Sequence, residues 1–294
     1  MKRRGSLGSP RLAGRILLLA GALLVACSDR GARAGAPGFP GTLKVLVSND
    51  DGVRAPGIDA LVQALASDSS LEVMVYAPSM NRSGSGGNFT RTGLIVEPAA
   101  TIGGYPAVSV SGFPADSVTF ALLHDLQAKP DLIVTGINQG QNIAELTAIS
   151  GTVGAALAGV RLGIPAIATS LELGHDELFP EAAAYVLELV EAVRQAGNVF
   201  AGVALNVNYP GRKRSDLAGV RVVPLGRLSA VTGYTQTGAA GDMRTFDSVV
   251  SASDGPDDPA NDAKLFAQGF VTLTPLRPDP GAPDQFEAFR FLER

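Results

Sequence analysis

Residues 43–57 read Leu43-Lys44-Val45-Leu46-Val47-Ser48-Asn49-Asp50-Asp51-Gly52-Val53-Arg54-Ala55-Pro56-Gly57. A short, nearly continuous apolar and β-branched run that stops at an Asn-Asp-Asp-Gly turn reads as a parallel strand covered on both faces, with polar residues at its carboxyl end. The same grammar recurs outward from it. Helical periodicity covers 58–66, 117–126, 151–162 and 180–196, and strand-like runs cover 71–77, 132–135, 166–170 and 203–207. This alternation predicts an α/β fold with a doubly wound, mostly parallel sheet. After Pro210 the signal weakens; residues 211–262 read as protruding hairpins for subunit contact, before a clear strand returns at Phe270-Val271-Thr272-Leu273-Thr274. The C-terminal part is therefore expected to be extended and β-rich. No internal repeat is visible.

The 294 residues are 46% hydrophobic and 18% charged, a globular balance with enough apolar residues for a sizeable core. A formal charge of −4 argues against a nucleic-acid polymer as partner, because that needs clustered Lys and Arg. A mononucleotide needs only a local site. Lys2, Arg3, Arg4, Arg11 and Arg15 precede the uncharged residues 16–26, the pattern of a signal peptide. That run is shorter than the roughly 20 residues of a transmembrane helix. Cys27 closes Leu24-Val25-Ala26-Cys27, which resembles a bacterial lipobox, so Cys27 is the expected lipidation site; the bland alternative is cleavage near Ala26 with an incidental thiol. As the only cysteine it excludes an intramolecular disulfide. Residues 1–26 are thus read as signal, 27–41 as a Gly- and Pro-rich tether and 42–294 as the folded domain. The expected location is periplasmic, with the membrane touched only through a lipid anchor.

Ligands of open α/β sheets gather beyond the carboxyl ends of the strands, and three polar clusters fall there. Asp50-Asp51 is either a good turn or a hard-oxygen site for Mg²⁺, Mn²⁺ or Ca²⁺. Asn81-Arg82-Ser83-Gly84-Ser85-Gly86-Gly87-Asn88 is either a surface loop or an anion cradle with Arg82 supplying charge. Gly136-Ile137-Asn138-Gln139-Gly140-Gln141-Asn142 leads to Ser150-Gly151-Thr152, where a helix N-terminus offers either an ordinary Ser cap or a phosphate seat. His124 and His175 lie near no nucleophile pattern. No Gly-x-Ser-x-Gly elbow is present, so a covalent triad is not expected.

Taken in order, these stretches resemble the SurE survival-protein family of metal-dependent nucleotidases. The matching residues are 47–52 with 55–57, then Ala77-Pro78 with 81–84, then 136–138 with Gly140 and Asn142, 150–153, Leu205-Asn206-Val207-Asn208 and 269–276. The resemblance implies a Rossmann-like core, assembly as a homodimer or homotetramer, and a nucleoside monophosphate as substrate. It implies one divalent cation held by Asp50, Asp51, Ser83 and Asn138; our own mechanistic reading makes Asp51 the base that accepts a proton from the attacking water. The substrate phosphate is expected beside Asn81, Arg82, Asn142 and Ser150-Gly151-Thr152. The chain departs from the family at Gly86-Gly87 and at Ile143-Ala144-Glu145-Leu146, and its export signal is unexpected. Two rivals differ in class. A phospho-acceptor receiver would end its central strand in aspartate, where Thr135-Gly136 stand; a lipoprotein that binds nucleotide or metal without turnover differs only in activity.

Overall fold

The computed structural model describes residues 41–196, 201–227, 231–250, 260–279 and 290. The signal segment, Cys27 and the tether up to residue 40 lie outside the described residues. Strand β1 (Leu43–Ser48) is followed by α1 (Pro56–Ala66), β2 (Leu71–Pro78), β3 (Val96–Ala100), β4 (Pro106–Val110), α2 (Pro114–Phe120), β5 (Leu132–Gln139), α3 (Leu146–Ile149), α4 (Gly151–Arg161) and β6 (Ala166–Leu171). The rest of the chain forms α5 (Phe179–Ala196), β7 (Ala204–Tyr209), β8 (Gly219–Val222), β9 (Val231–Ala240), β10 (Met243–Val250), α6 (Asp262–Ala267) and β11 (Phe270–Leu276).

The pleat sends alternate residues to opposite faces, and each face of this sheet has its own core. Leu43, Val45 and Val47 of β1 and Leu132 and Val134 of β5 pack with Ile58, Leu61 and Leu65 of α1 and with α5. Leu46 and Ile133, between them in sequence, face Val118 of α2 and Ala155 and Ala156 of α4. The unbroken apolar runs are therefore the consequence of helices on both sides.

Nine strands form the main sheet in the order β3-β4-β2-β1-β5-β6-β7-β11-β8. From β2 to β4 the chain winds one way from β1, and from β5 through β7 it winds the other. The reversal lies between β1 and β5, which pair in parallel with Ser48 opposite Thr135. This is the topological switch point, where a crevice opens beyond the strand ends.

The expected α/β class and doubly wound sheet are observed, with four differences in detail. Helix α2 starts earlier than residue 117, at the Pro114 that supplies a ready-made first turn, and its last turn widens over Ala121–Asp125. Strand β5 continues past Thr135 to Gln139. The antiparallel pair β3 and β4 was not expected; each carries a proline, tolerated because Pro98 lies on the edge strand and Pro106 is the first residue of β4. The C-terminal part divides: β8 and β11 extend the main sheet, whereas β9 and β10 form a separate two-stranded hairpin. None of the described helices is long and apolar enough to cross a membrane.

Candidate active site

Three chain segments meet at the switch point. The turn after β1 is stitched to the loop after β2: Val53 N–H donates to Pro78 O (2.8 Å) and Arg82 N–H to Asp50 O (2.6 Å). Asn81 Oδ1 accepts from Ser83 N–H (2.8 Å), while its Nδ2 donates to Asp51 Oδ1 (3.2 Å). Ser83 Oγ donates to the same oxygen at 3.5 Å, and Gln139 N–H of β5 donates to Asp51 Oδ2 at 3.1 Å. The β5–β6 ladder slips between Thr135 and Asn138, bending the strand where Asn138 leaves it. Asn138 Nδ2 donates to Gly140 O (2.6 Å), leaving Oδ1 as its available oxygen. Asp50, Ser83, Asn138, Asn142 and Ser150 line one cleft of about 130 Å³. Asp51 and Asn81 face an adjoining cavity of about 320 Å³, and Gln139 borders both.

Asp50 is only 2% exposed. Burial pushes its pKa up, opposed by the Thr152 hydroxyl, which donates to Oδ1 at 2.5 Å, and by the backbone N–H groups of Thr152 and Gly151. Burial, then the neighbouring Asp50 charge, pushes Asp51 from 3.8 to about 6. Among the described residues no Lys or Arg pairs with either carboxylate. Two desolvated like charges without a counter-charge are held apart from neutrality only at a cost, and a divalent cation offsets it. The donor set fits: two carboxylates, a hydroxyl and a carboxamide oxygen suit a hard cation such as Mg²⁺, Mn²⁺ or Ca²⁺. Nearby, Ser85 Oγ is buried without a hydrogen-bond partner. No group of three or more His, Cys, Asp or Glu suited to a metal occurs among the described residues.

The pKa shift has a measurable consequence in metal-free protein. A carboxyl whose pKa is raised in the folded state stabilises the fold below its unfolded value, and that contribution is lost as pH climbs through the folded pKa. For Asp51 the window runs from 3.8 to about 6, worth roughly 3 kcal/mol. The Tm of chelated protein, followed by calorimetry from pH 4.5 to 7.5, is expected to fall more steeply for the wild type than for Asp51→Asn. Parallel curves would show that Asp51 titrates normally.

The family model described as "Survival protein SurE" matches residues 45–231, more than half of the chain. The chain belongs to the SurE family. A solved relative, the SurE protein from Aquifex aeolicus, superposes with a TM-score of 0.74 at 30% sequence identity, covering 85% of this chain and 100% of that one.

Within this SurE fold, several side chains serve differently from the sequence expectation. Arg82 does not line the cleft: its guanidinium donates to Ser111 O (2.8 Å) and lies 5.6 Å from the Phe113 ring centre, tying the loop to the segment after β4. The helix α4 N-terminus is occupied from within. Ser150 Oγ caps it by accepting from Val153 N–H (3.1 Å), and Gly151 and Thr152 address Asp50, so of these three only Ser150 borders the cleft. A Cβ on Gly151 would stand 2.7 Å from Asp50 Cβ and 2.8 Å from Ser85 Oγ. The glycine-rich loop is docked rather than free, with Gly86 O so close to α4 that Gly154 has no room for a side chain.

Asn142 is buried and clamped on all sides of its amide. Its N–H donates to Asn208 Oδ1 (2.7 Å), its Nδ2 to Ser170 Oγ (2.8 Å), and its carbonyl accepts from Asn206 Nδ2 (2.7 Å) and Asn208 Nδ2 (3.2 Å). Asp262 extends the clamp: its carboxylate accepts from the N–H groups of Ala144 (3.0 Å), Gly226 (2.8 Å) and Ala263 (2.8 Å). These supporting residues, with Gln139 and Ser85, carried no assigned role in the sequence reading. The available signal was Asn206 and Asn208 inside an apolar strand, where buried amides demand partners.

Proposed function

We propose that this chain is a divalent-metal-dependent phosphomonoesterase acting on nucleoside monophosphates, a 5′-nucleotidase whose range extends to 3′-nucleotides and polyphosphate. The observation that carries this reading is the convergence of Asp50, Asp51, Ser83 and Asn138 from three segments at the switch point, without a protein counter-charge. Membership of the SurE family supports it.

A cation held by those four residues would act as a Lewis acid on the phosphoryl oxygen and lower the pKa of a water molecule. The phosphate sits in the cleft bordered by Asn138, Asn142 and Ser150. Attack of water forms one P–O bond as the ester P–O bond breaks, and the leaving nucleoside oxygen takes up a proton. Asp51 is the base that receives the proton of the water. Gln139 N–H and Asn81 Nδ2 fix its two oxygens. The test is phosphate release from nucleoside monophosphates by purified protein. Chelation is expected to abolish release and Mg²⁺, Mn²⁺ or Ca²⁺ to restore it; tight metal binding without release would instead support the non-catalytic binding alternative.

The same reading places the protein outside the cytoplasm, anchored through Cys27, on the strength of the basic and apolar leader and the lipobox-like Leu24-Val25-Ala26-Cys27. Detergent-phase partitioning that is lost in Cys27→Ala supports the anchor, and unchanged partitioning overturns it. Homodimer or homotetramer assembly through the β9–β10 hairpin, which exposes Tyr234 and Met243, completes the proposal and is read by light scattering.

A further inference from the structure

One wall of the cleft is a single stretch of chain, with Asn142, Leu146, Ile149 and Ser150 facing the opening. Both ends of that stretch are pinned where they stand: Asn142 by Asn206 and Asn208, and Ser150 by its cap on α4. The middle turns at Ala144, whose φ of 48° makes it the one non-glycine residue with positive φ among the described residues. A side chain there crowds the backbone, so the conformation persists only where the surroundings impose it. Two contacts from α6 do so. Ala263 and Phe266 pack against Ile143 and Ala144 in a small core of their own. The Asp262 carboxylate, fully buried, accepts from Ala144 N–H at 3.0 Å.

The two oxygens of that carboxylate have different duties. Oδ1 accepts from Gly226 N–H and Ala263 N–H, both at 2.8 Å, and so closes the base of the excursion that carries β9 and β10. Oδ2 reaches across to the cleft wall and accepts from Ala144 N–H. Helix α6 has another cap, since Asn261 Oδ1 accepts from Lys264 N–H (2.9 Å). Burying a carboxylate is costly, and an apolar contact already joins the same two segments. What the hydrogen bond adds is a fixed direction for the backbone at residue 144. We propose that Asp262 is a positioning residue of the cleft: its Oδ2 holds Ala144 in the left-handed region and thereby sets where the wall from Asn142 to Ser150 stands against a bound phosphate group. This rests on the phosphomonoesterase reading above, in which the cleft receives the phosphate. The four candidate metal ligands lie on other segments: Asp50, Asp51 and Ser83 follow β1 and β2, and Asn138 belongs to β5. The positioning therefore acts on phosphate binding and not on metal binding.

The discriminating variant is Asp262→Asn. It keeps an oxygen for Gly226 and Ala263 and sets an amide donor against the Ala144 N–H donor. Combining it with Ala144→Gly supplies a residue that takes positive φ without strain, so the turn is regained without the tie. Measurements are made on the full chain. In metal-free protein, hydrogen exchange at the Ala144 amide is expected to accelerate in Asp262→Asn while the Gly226 and Ala263 amides keep their protection. With Mn²⁺ present, inorganic phosphate titrated calorimetrically is expected to bind Asp262→Asn about tenfold more weakly, and kcat/KM for adenosine 5′-monophosphate to fall by a similar factor. Affinity for Mn²⁺ itself is expected to stay within about twofold, and the double variant to return phosphate binding and turnover to within about threefold of wild type. Phosphate binding that weakens and recovers in this way, in a protein that releases no phosphate from any substrate, upholds the positioning role and overturns the phosphatase reading. Turnover in which Asp262→Asn equals the wild type overturns the positioning role and leaves the phosphatase standing. Joint loss of metal and phosphate binding that the glycine does not rescue also overturns it, because Asp262 then supports the fold as a whole.

Discussion

Asp50→Ala is expected to lower phosphate release by about 10³-fold or more, without destabilising metal-free protein at neutral pH. A Lewis acid at the phosphoryl group is worth several kcal/mol, and each 1.36 kcal/mol is tenfold in rate. Asp50 is the donor of the set buried most deeply in its carboxylate, and the only one fastened by a helix N-terminus. Its removal orphans the Thr152 hydroxyl, which costs about 1–3 kcal/mol. Against that, the substitution removes a buried charge whose pKa burial has pushed up, and which repels Asp51. The two effects oppose each other, so Tm should move little while turnover collapses. If Asp50-Asp51 were only a turn, activity would survive the substitution. Parallel measurement of kcat and of Tm in chelator decides between them.

Gly151→Ala is the second large effect, at a residue with no side chain. By helix propensity alone the change stabilises α4 by somewhat under about 1 kcal/mol. The Cβ, however, would stand 2.7 Å from Asp50 Cβ and 2.9 Å from Asp50 Oδ2, distances that force one of the two to move. A misplacement near 1 Å at a catalytic group costs about 10²-fold in rate. Activity is therefore expected to drop by about 10²-fold while far-UV circular dichroism and Tm stay near wild type. Retention of activity within a factor of about three would mean that the α4 N-terminus yields instead of Asp50, and that Asp50 is not positioned by it.

The strands that build the crevice were legible because their burial on two faces leaves no polar alternation to confuse the pattern: Leu43-Lys44-Val45-Leu46-Val47 and Leu132-Ile133-Val134 can be little else. That the acidic pair and Asn138 come together was legible because residues that follow neighbouring parallel strands meet at one end of the sheet. Arg82 was not, because sequence shows a charge but not its direction, and the carbonyl of Ser111 that takes it comes from another strand end. Gly151 and Thr152 were read as donors to a ligand, since an open helix N-terminus and one filled by a carboxylate from elsewhere in the chain look the same in sequence. The pairing of β3 with β4 was hidden by Pro98 and Pro106, and the roles of Asn206 and Asn208 depend on contacts more than sixty positions away.

The clamp on Asn142 makes the crevice depend on the far end of the chain. Residues 50, 83 and 138 lie in its first half, yet the loop after Asn142 is tied down by Asp262, 118 positions beyond Ala144. Asn206 and Asn208 lie on β7, whose outer neighbour is β11, with Thr274 and Thr272 opposite them. A chain cut before Asp262 would thus keep all four candidate oxygen donors and lose the carboxylate that holds the loop after Asn142 in place.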